Sequence, residues 1–463
     1  MKKILVICTP EYRARAEWFV RLLRHRLICE PSFEINVIYG YEGHEFSTRK
    51  GINLIIPVRS VEPEELFRVF DKVKGGGWIE RRGRDFILDI DLVRFALWIL
   101  SREEEYIQGN DPDAWDKHGR FRIEKTMAYQ KDLWQKPVLD ILILQLIERI
   151  EEELCVEILN KSPWGNGKGM ALWMTHDVDR LTGRYALPLR FMGWAFFAIK
   201  ELSKGNKDGY LKWIGKIKYW LNSTADPTFE SIKRILDEEH RLGLVSTFYL
   251  MSLTRGVSLR EGIRYRINHP LTKEAMALLK RRGCWIGLHP GYFKPLDVDY
   301  LIVQKKNLER AARQKVGLVR NHYLRIRYPD TWSIEGRAGF RLSSNMAWAG
   351  HNGFRAGTCW PYQPFDIHNN RPFSIVEVPP CYTDRWVDDQ EIVGGVSKIA
   401  NEVSSVHGLL TINFHSDLWS EFDFPARGRA FQEILQILGK DGWHFLGPEE
   451  IFQYFRQTAT AEN

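Results

Sequence analysis

The sequence predicts an α/β protein: a mainly parallel β/α sheet or barrel preceded by a smaller α/β unit. Three observations carry this. The chain opens with short apolar runs bounded by turn residues, interleaved with a stretch of helical spacing. Beyond residue 170, apolar runs alternate regularly with helical stretches, as parallel strands joined by crossover helices do. Between the two lies Asn160–Met170 (NKSPWGNGKGM), rich in Gly, Pro, Ser and Lys. The division therefore falls at 1–165 and 166–463, two domains in keeping with a length of 463 residues if the second is a large barrel.

In the first unit, Lys3–Cys8 reads as a strand and Glu11–Leu27 as an amphipathic helix. Ile35–Tyr39 and Ile52–Val58 read as further strands, and Leu92–Tyr106 and Pro137–Leu159 as helices. In the second, the strands are Ala171–Thr175, Val245–Met251, Cys284–His289, Val316–Tyr323 and Leu409–His415. The helices among them are Thr228–Leu242, Leu271–Arg282 and Tyr300–Gln314. There is no internal repeat and no low-complexity tract.

Composition narrows the class. Lys plus Arg number 66 and Asp plus Glu 59, a formal charge of +7, which is mild for this length and does not demand nucleic acid. With 44% hydrophobic and 27% charged residues, the chain is not disordered, collagenous or a coiled-coil rod. Seventeen Trp keep a sugar-binding or membrane-interface role open. The six Cys show no C-x-x-C spacing, so free thiols in a reducing compartment are expected. The apolar run after Met1-Lys2-Lys3 is short, ends at Pro10 and lacks a cleavage motif, so it reads as the first strand rather than a leader. No run reaches the roughly 18–20 apolar residues of a membrane span. The expected location is the cytoplasm, peripheral to the inner face of the membrane.

Four predicted strands end in reactive side chains, and β/α barrels carry their chemistry at the C-terminal strand ends. The first ends Thr175-His176-Asp177-Val178-Asp179, where period-2 alternation turns Asp177 and Asp179 to one side. Two such carboxylates suit a cation plus a base; the string reads equally as an Asp-rich turn or helix cap. The second ends at His289 before Pro290-Gly291, a metal ligand or a structural histidine. The third, Val319-Arg320-Asn321-His322, puts Arg320 and His322 on one side, where Arg320 can hold a pocket carboxylate ionised; the alternative is a surface Arg and a buried His. The fourth alternates Thr411, Asn413 and His415 against apolar residues, with His415 as a general acid or base. Their joint occurrence in one domain favours a metal or acid–base site.

These residues resemble the polysaccharide deacetylases of the NodB-homology type. The resemblance implies a distorted β/α barrel and a zinc ion or other divalent metal. Thr175–Asp179 (THDVD) is similar to that family's first motif, implying Asp177 as base and Asp179 as metal ligand. The second motif, H-x-x-x-H, is matched at His289 but not at Phe293. Arg320 fits the arginine that pairs with the base, and His415 in INFHS fits the general acid, with Asn413 where Leu is usual. Phe293 leaves the metal one ligand short, and His322 is the replacement its shared face with Arg320 offers. The segment Trp443–Phe455 (WHFLGPEEIFQYF) is like the family's last strand and helix. LSREEEYI (Leu100–Ile107), DKHGRF (Asp116–Phe121) and GFRAGTC (Gly353–Cys359) look like a subgroup with an N-terminal α/β domain of unknown function. The implied activity is removal of acetyl groups, from nitrogen or oxygen, on a polysaccharide or its lipid-linked precursor. The implied mechanism is a metal-activated water, with Asp177 as base, Arg320 holding it charged and His415 protonating the leaving group.

Candidate substrate contacts are Arg355 in GFRAGTC, for a hydroxyl or an anionic group, and Trp360, Tyr362, Tyr292 and Trp386, of which the two Trp and Tyr362 offer faces for sugar rings; packing is the competing role for each. Residues 181–222 hold eight Lys or Arg against two acidic residues, interleaved with aromatics. Such a stretch suits anionic lipid headgroups, or else caps the barrel with a solvated lysine face. The expected partner is an acetylated carbohydrate, with peripheral membrane contact through 181–222 and no nucleic acid. An inactive deacetylase-like glycan binder is the competing function, separated by metal content.

Overall fold

The structure, a computed structural model, describes residues 3–27, 34–40, 51–59, 77–165, 167–182, 187–223, 225–254, 257–258, 262–420, 422–440 and 442–459. Cys29 and part of the 181–222 segment lie outside them. Among the described residues, five strands open the chain: β1 (Lys3–Cys8), β2 (Glu34–Tyr39), β3 (Ile52–Ile56), β4 (Ile79–Arg82) and β5 (Asp85–Leu88). They form one sheet in the order β1-β2-β3-β5-β4, parallel except at the β4–β5 hairpin. A polar ladder crosses its buried middle: Asn36 donates to Asn53 at 2.8 Å and Asn53 to Asp85 at 2.7 Å. Slipping one residue would leave these amides unpaired, so the ladder pins the register.

Among the described residues this sheet is accompanied by α1 (Arg13–Arg24), α2 (Leu92–Leu100), α3 (Glu103–Ile107) and α4 (Val138–Leu154). The single helix expected over Leu92–Tyr106 is broken at Arg102, which takes φ 54°. Its buried guanidinium binds Glu105 at 2.8 Å and the carbonyl of Arg355, and those bonds hold the break. The helix expected to Leu159 stops at Leu154, because the following residues turn back to pair with the end of α1: Leu159 bridges Leu27, and Asn160 donates to Arg26.

The second sheet is wholly parallel. Its strands are β6 (Ala171–Val178), β7 (Thr247–Leu250), β8 (Trp285–Leu288), β9 (Leu318–Val319), β10 (Leu342–Ser343), β11 (Val376–Glu377), β12 (Tyr382–Thr383), β13 (Leu409–His415) and β14 (His444–Phe445). The order is β11-β10-β9-β8-β7-β6-β13-β12, with β14 beside the start of β6. The two edges, β11 and β12, are neighbouring pieces of one segment interrupted by Pro379-Pro380, which lack donors for a ladder. That segment nearly closes the sheet into a ring, giving the distorted β/α barrel. Helices connect the strands as the sequence alternation implies, except from β10 to β11 and from β11 to β12, and β6 and β13, side by side in register from Ala171↔Leu409 to Asp177↔His415, form its fully buried centre.

One continuous apolar core runs under both sheets. Buried charges bridge them. Asp140 on α4 takes Arg26 together with Thr358 Oγ1 (2.7 Å) and the Cys359 N–H (2.8 Å), and Glu105 takes both arms of Arg355 (2.6 and 2.9 Å).

Candidate active site

The C-terminal end of β6 builds the site by alternation. Thr175, Asp177 and Asp179 face inward, while His176 faces the surrounding helices, bonded to Glu239 at 2.8 Å and the Phe414 carbonyl at 3.2 Å. Arg320, fully buried at the end of β9, reaches across: Nη1 donates to Asp177 Oδ1 at 3.1 Å and Thr175 Oγ1 at 2.8 Å. Its other arms bind the Ser344 carbonyl (2.9 Å) and hydroxyl (2.8 Å), and its plane stacks 4.3 Å from the Tyr249 ring centre. Asn413 from β13 donates to the other oxygen, Asp177 Oδ2, at 2.9 Å. Burial pushes the Asp177 carboxyl up, but His289, Arg320 and His415 outweigh it and leave it at about 2. Asp177 is a fixed, ionised carboxylate.

Asp179, His289 and His322 converge beside it. Asp179 Oδ1 lies 3.4 Å from His289 Nε2 and 3.3 Å from His322 Nδ1, and those two nitrogens are 2.9 Å apart. A tetrahedral ion with bonds of about 2.0–2.1 Å needs ligand atoms about 3.3 Å apart. The donor set also fits. His289 Nδ1 donates to the Arg320 carbonyl at 2.7 Å, which turns Nε2 to the cluster. Burial first, then His289 and Arg264, outweigh Asp179 and push His322 down to about 4, so its ring is neutral. Buried Asp179 Oδ1 has no hydrogen-bond donor, a donor set an ion would complete. Phe293 points away, 40% exposed.

On the other side of Asp177, His415 Nε2 stands 3.8 Å from Asp177 Oδ2. Its Nδ1 bonds buried Asp384 at 2.7 Å. Asp384 is itself held by the Trp419 indole (2.8 Å) and the His415 N–H (3.0 Å). Burial and Arg385 act to lower the His415 pKa, yet Asp384 outweighs them and raises it above the ordinary value.

These groups line a cavity of about 430 Å³. Its wall is cationic: Lys117, Arg120, Arg180, Arg264 and Arg385 join Arg320 there. Lys117, His118 and Arg120 come from the N-terminal unit, whose loop is tied down where Arg325 donates to the His118 carbonyl at 2.8 Å. Trp386, 43% exposed, gives the mouth an aromatic face. Tyr323 and Leu324, also lining, take φ 60° and 51°, left-handed strain of about 1–3 kcal/mol each, of the kind concentrated at functional sites.

Arg355, Trp360 and Tyr362 are not at the cavity. Arg355 is buried against Glu105 and the Ala347 carbonyl (3.0 Å). Trp360 packs on Arg26 and Trp164, and Tyr362 bonds the Leu100 carbonyl at 3.1 Å. Tyr292 stands behind the wall, its hydroxyl 3.1 Å from His118 Nδ1 and its ring covered by Arg325. Conversely, Asp384, Arg385 and Arg264 belong to the site without having been legible. Arg385 pairs with Asp179, and Arg264 lies 3.4 Å from His322 Nε2. Only the polar-aromatic string TDRW (Thr383–Trp386) could have flagged the first two, and Arg264 carries no sequence signal.

Residues 19–154 match a family of unknown function (DUF7033). No curated protein matches the sequence. Among solved structures, a chain from Mycobacterium smegmatis assigned as a polysaccharide deacetylase is similar at 15% identity over 64% of this chain and 93% of that one, TM-score 0.40. The peptidoglycan deacetylase PdaC from Bacillus subtilis is similar at 12% identity over 63% and 95%, TM-score 0.31. The catalytic domain of a peptidoglycan N-acetylglucosamine deacetylase from Eubacterium rectale gives 11% over 60% and 87%, TM-score 0.29.

Proposed function

We propose that the protein is a metal-dependent hydrolase that removes acetyl groups from a polysaccharide or its lipid-linked precursor at the inner face of a membrane. A divalent ion, zinc in the first instance, would be held by Asp179, His289 and His322. The observation that carries this is their convergence at tetrahedral spacing around an undonated carboxylate oxygen, one alternation step from a carboxylate gripped by arginine. The motif resemblance supports the same chemistry.

Bound there, the ion would supply Lewis-acid polarisation of an acetyl carbonyl and acidify a water. The chain's own residues do the proton work. Asp177, held charged and oriented by Arg320 and Asn413, takes the proton from the attacking water. His415, held protonated by Asp384, presents Nε2 and passes its proton to the leaving nitrogen or oxygen. Trp386 offers a face to a sugar ring, and the cationic wall favours a substrate that carries negative charge. On this reading residues 166–463 carry the chemistry and residues 1–165 complete the pocket wall.

A glycan-binding protein without activity is the second reading. It is favoured by Arg385 on Asp179 and Arg264 beside His322, two cations that oppose a dication. Metal content by plasma mass spectrometry separates the two, on protein purified without chelator or affinity tag. Near one ion per chain, lost in Asp179→Ala, supports the hydrolase, and acetate release from acetylated oligosaccharides then follows. No metal after zinc is added back supports the second reading.

A further inference from the structure

We infer that the helical hairpin rooted beside the pocket docks the protein on the surface of an anionic lipid bilayer. Two helices form it, α5 (Leu187–Ser203) and α6 (Lys207–Asn222). Fifteen large apolar side chains are exposed among the described residues, and eight of them sit on these two helices. The placement is ordered. On α5, Leu189, Met192, Phe196, Ile199 and Leu202 recur every three or four residues and so share one face, which is turned to solvent; Met192 is 68% and Ile199 66% exposed. The opposite face packs on α6, with Trp194 stacked 6.4 Å from Trp220 and Phe197 5.1 Å from Trp213. A helix that only caps a barrel turns its polar face outward; this one turns its apolar face outward.

Charge identifies the occupant. Residues 187–222 carry seven Lys or Arg against Glu201 and Asp208. Lys200, Lys204, Lys207, Lys212 and Lys218 are all exposed around the apolar stripe. An apolar face rimmed by lysines suits insertion at the headgroup boundary of an anionic bilayer, whereas a second copy would bring lysines against lysines. No helix among the described residues is long and apolar enough to cross a membrane, so contact is at the surface.

The hairpin is also tied to the segments that carry the site, although none of its residues lines the cavity. It follows Asp179 in sequence, and α6 is fixed to the segment after His415 by Lys216 on Asp423 and by Tyr219 against Phe422, ring centres 4.2 Å apart. Docking therefore brings the strand ends that line the pocket to the lipid side. That a lipid-linked carbohydrate is what reaches them rests on the deacetylase reading; the docking itself does not.

The test is flotation of the full chain with vesicles of phosphatidylcholine alone and of phosphatidylcholine with phosphatidylglycerol, at low and high salt. The expected result is flotation with the anionic vesicles, weakened by salt. It should weaken about tenfold or more in Phe196→Glu/Ile199→Glu and also in Lys212→Glu/Lys218→Glu. No flotation at low salt, equal flotation with neutral vesicles, or unchanged flotation of both variants overturns the inference. So does a concentration-dependent dimer by light scattering that the Phe196→Glu/Ile199→Glu variant abolishes while vesicles stay unbound. Metal content read on the same variants keeps the two ideas apart: metal retained with flotation lost concerns the hairpin, and metal absent with flotation retained concerns the active site.

Discussion

Asp384 Oδ1 lies 2.7 Å from Nδ1 of His415, and Nε2 of the same ring faces Asp177 across 3.8 Å. The strand pair that places Thr383 beside Asn413 brings the two residues together, although 31 positions separate them in the chain. On the proposed reading, the arrangement fixes which nitrogen of His415 is offered to a leaving group, and Asp384 favours the charged ring.

Asp384→Asn removes the charge that outweighs burial and Arg385, so the His415 pKa falls. In the wild type the group that must be protonated has a raised pKa, while Asp177 is ionised above about 2 and His322 neutral above about 4. Turnover should therefore hold at weakly acid pH and fall as pH rises through the raised His415 value. The variant should show that alkaline limb displaced to lower pH and turnover reduced about 10²–10⁴-fold. A pH–rate profile on an acetylated oligosaccharide reads both. Linkage has the same sign: the His415–Asp384 pair stabilises the fold fully below the ordinary histidine range and loses that contribution as pH rises through the raised value.

His322→Ala should lose metal as completely as Asp179→Ala, whereas Phe293→Ala should keep it, because the Phe293 ring faces solvent. Metal content of the three variants, with circular dichroism as the folding control, checks the assignment. Metal retained in His322→Ala would remove it from the ligand set.

Arg320→Met leaves Asp177 and Thr175 without their buried donor. Breaking one side of a buried ion pair costs about 3–5 kcal/mol. Denaturant unfolding should show a loss of that size, and in the folded fraction Asp177 should no longer be held ionised, so the acid limb of the pH profile moves up.

Arg355→Ala should also destabilise by about 3–5 kcal/mol, since Glu105 keeps its charge in the core with only Arg102 beside it. Its metal content and its KM for acetylated oligosaccharide should be unchanged, because the side chain lies away from the cavity. A raised KM without loss of stability would return Arg355 to the substrate.

The period of two in Thr175–Asp179 and in Thr411–His415 determines by itself which side chains share the inner face. Alternation of apolar runs with helical stretches did the same for the parallel barrel. Both are local: they depend on backbone geometry over a few residues, and the sequence alone states them. The third metal-cluster member was half-legible, since the shared face of Arg320 and His322 followed from alternation but the distance to Asp179 did not. Asp384, Arg385 and Arg264 come from segments with little regular structure, and their approach to the site is decided by how the sheet curls until β11 and β12 nearly meet. The misplaced substrate contacts have the same cause. Arg355, Trp360 and Tyr362 are polar or aromatic residues whose partners, Glu105, Arg26 and the Leu100 carbonyl, lie some 250–330 residues away in the N-terminal unit. Whether such a side chain meets substrate or core depends on which distant charge or carbonyl is folded against it, and that is settled only when the two sheets close on their common core.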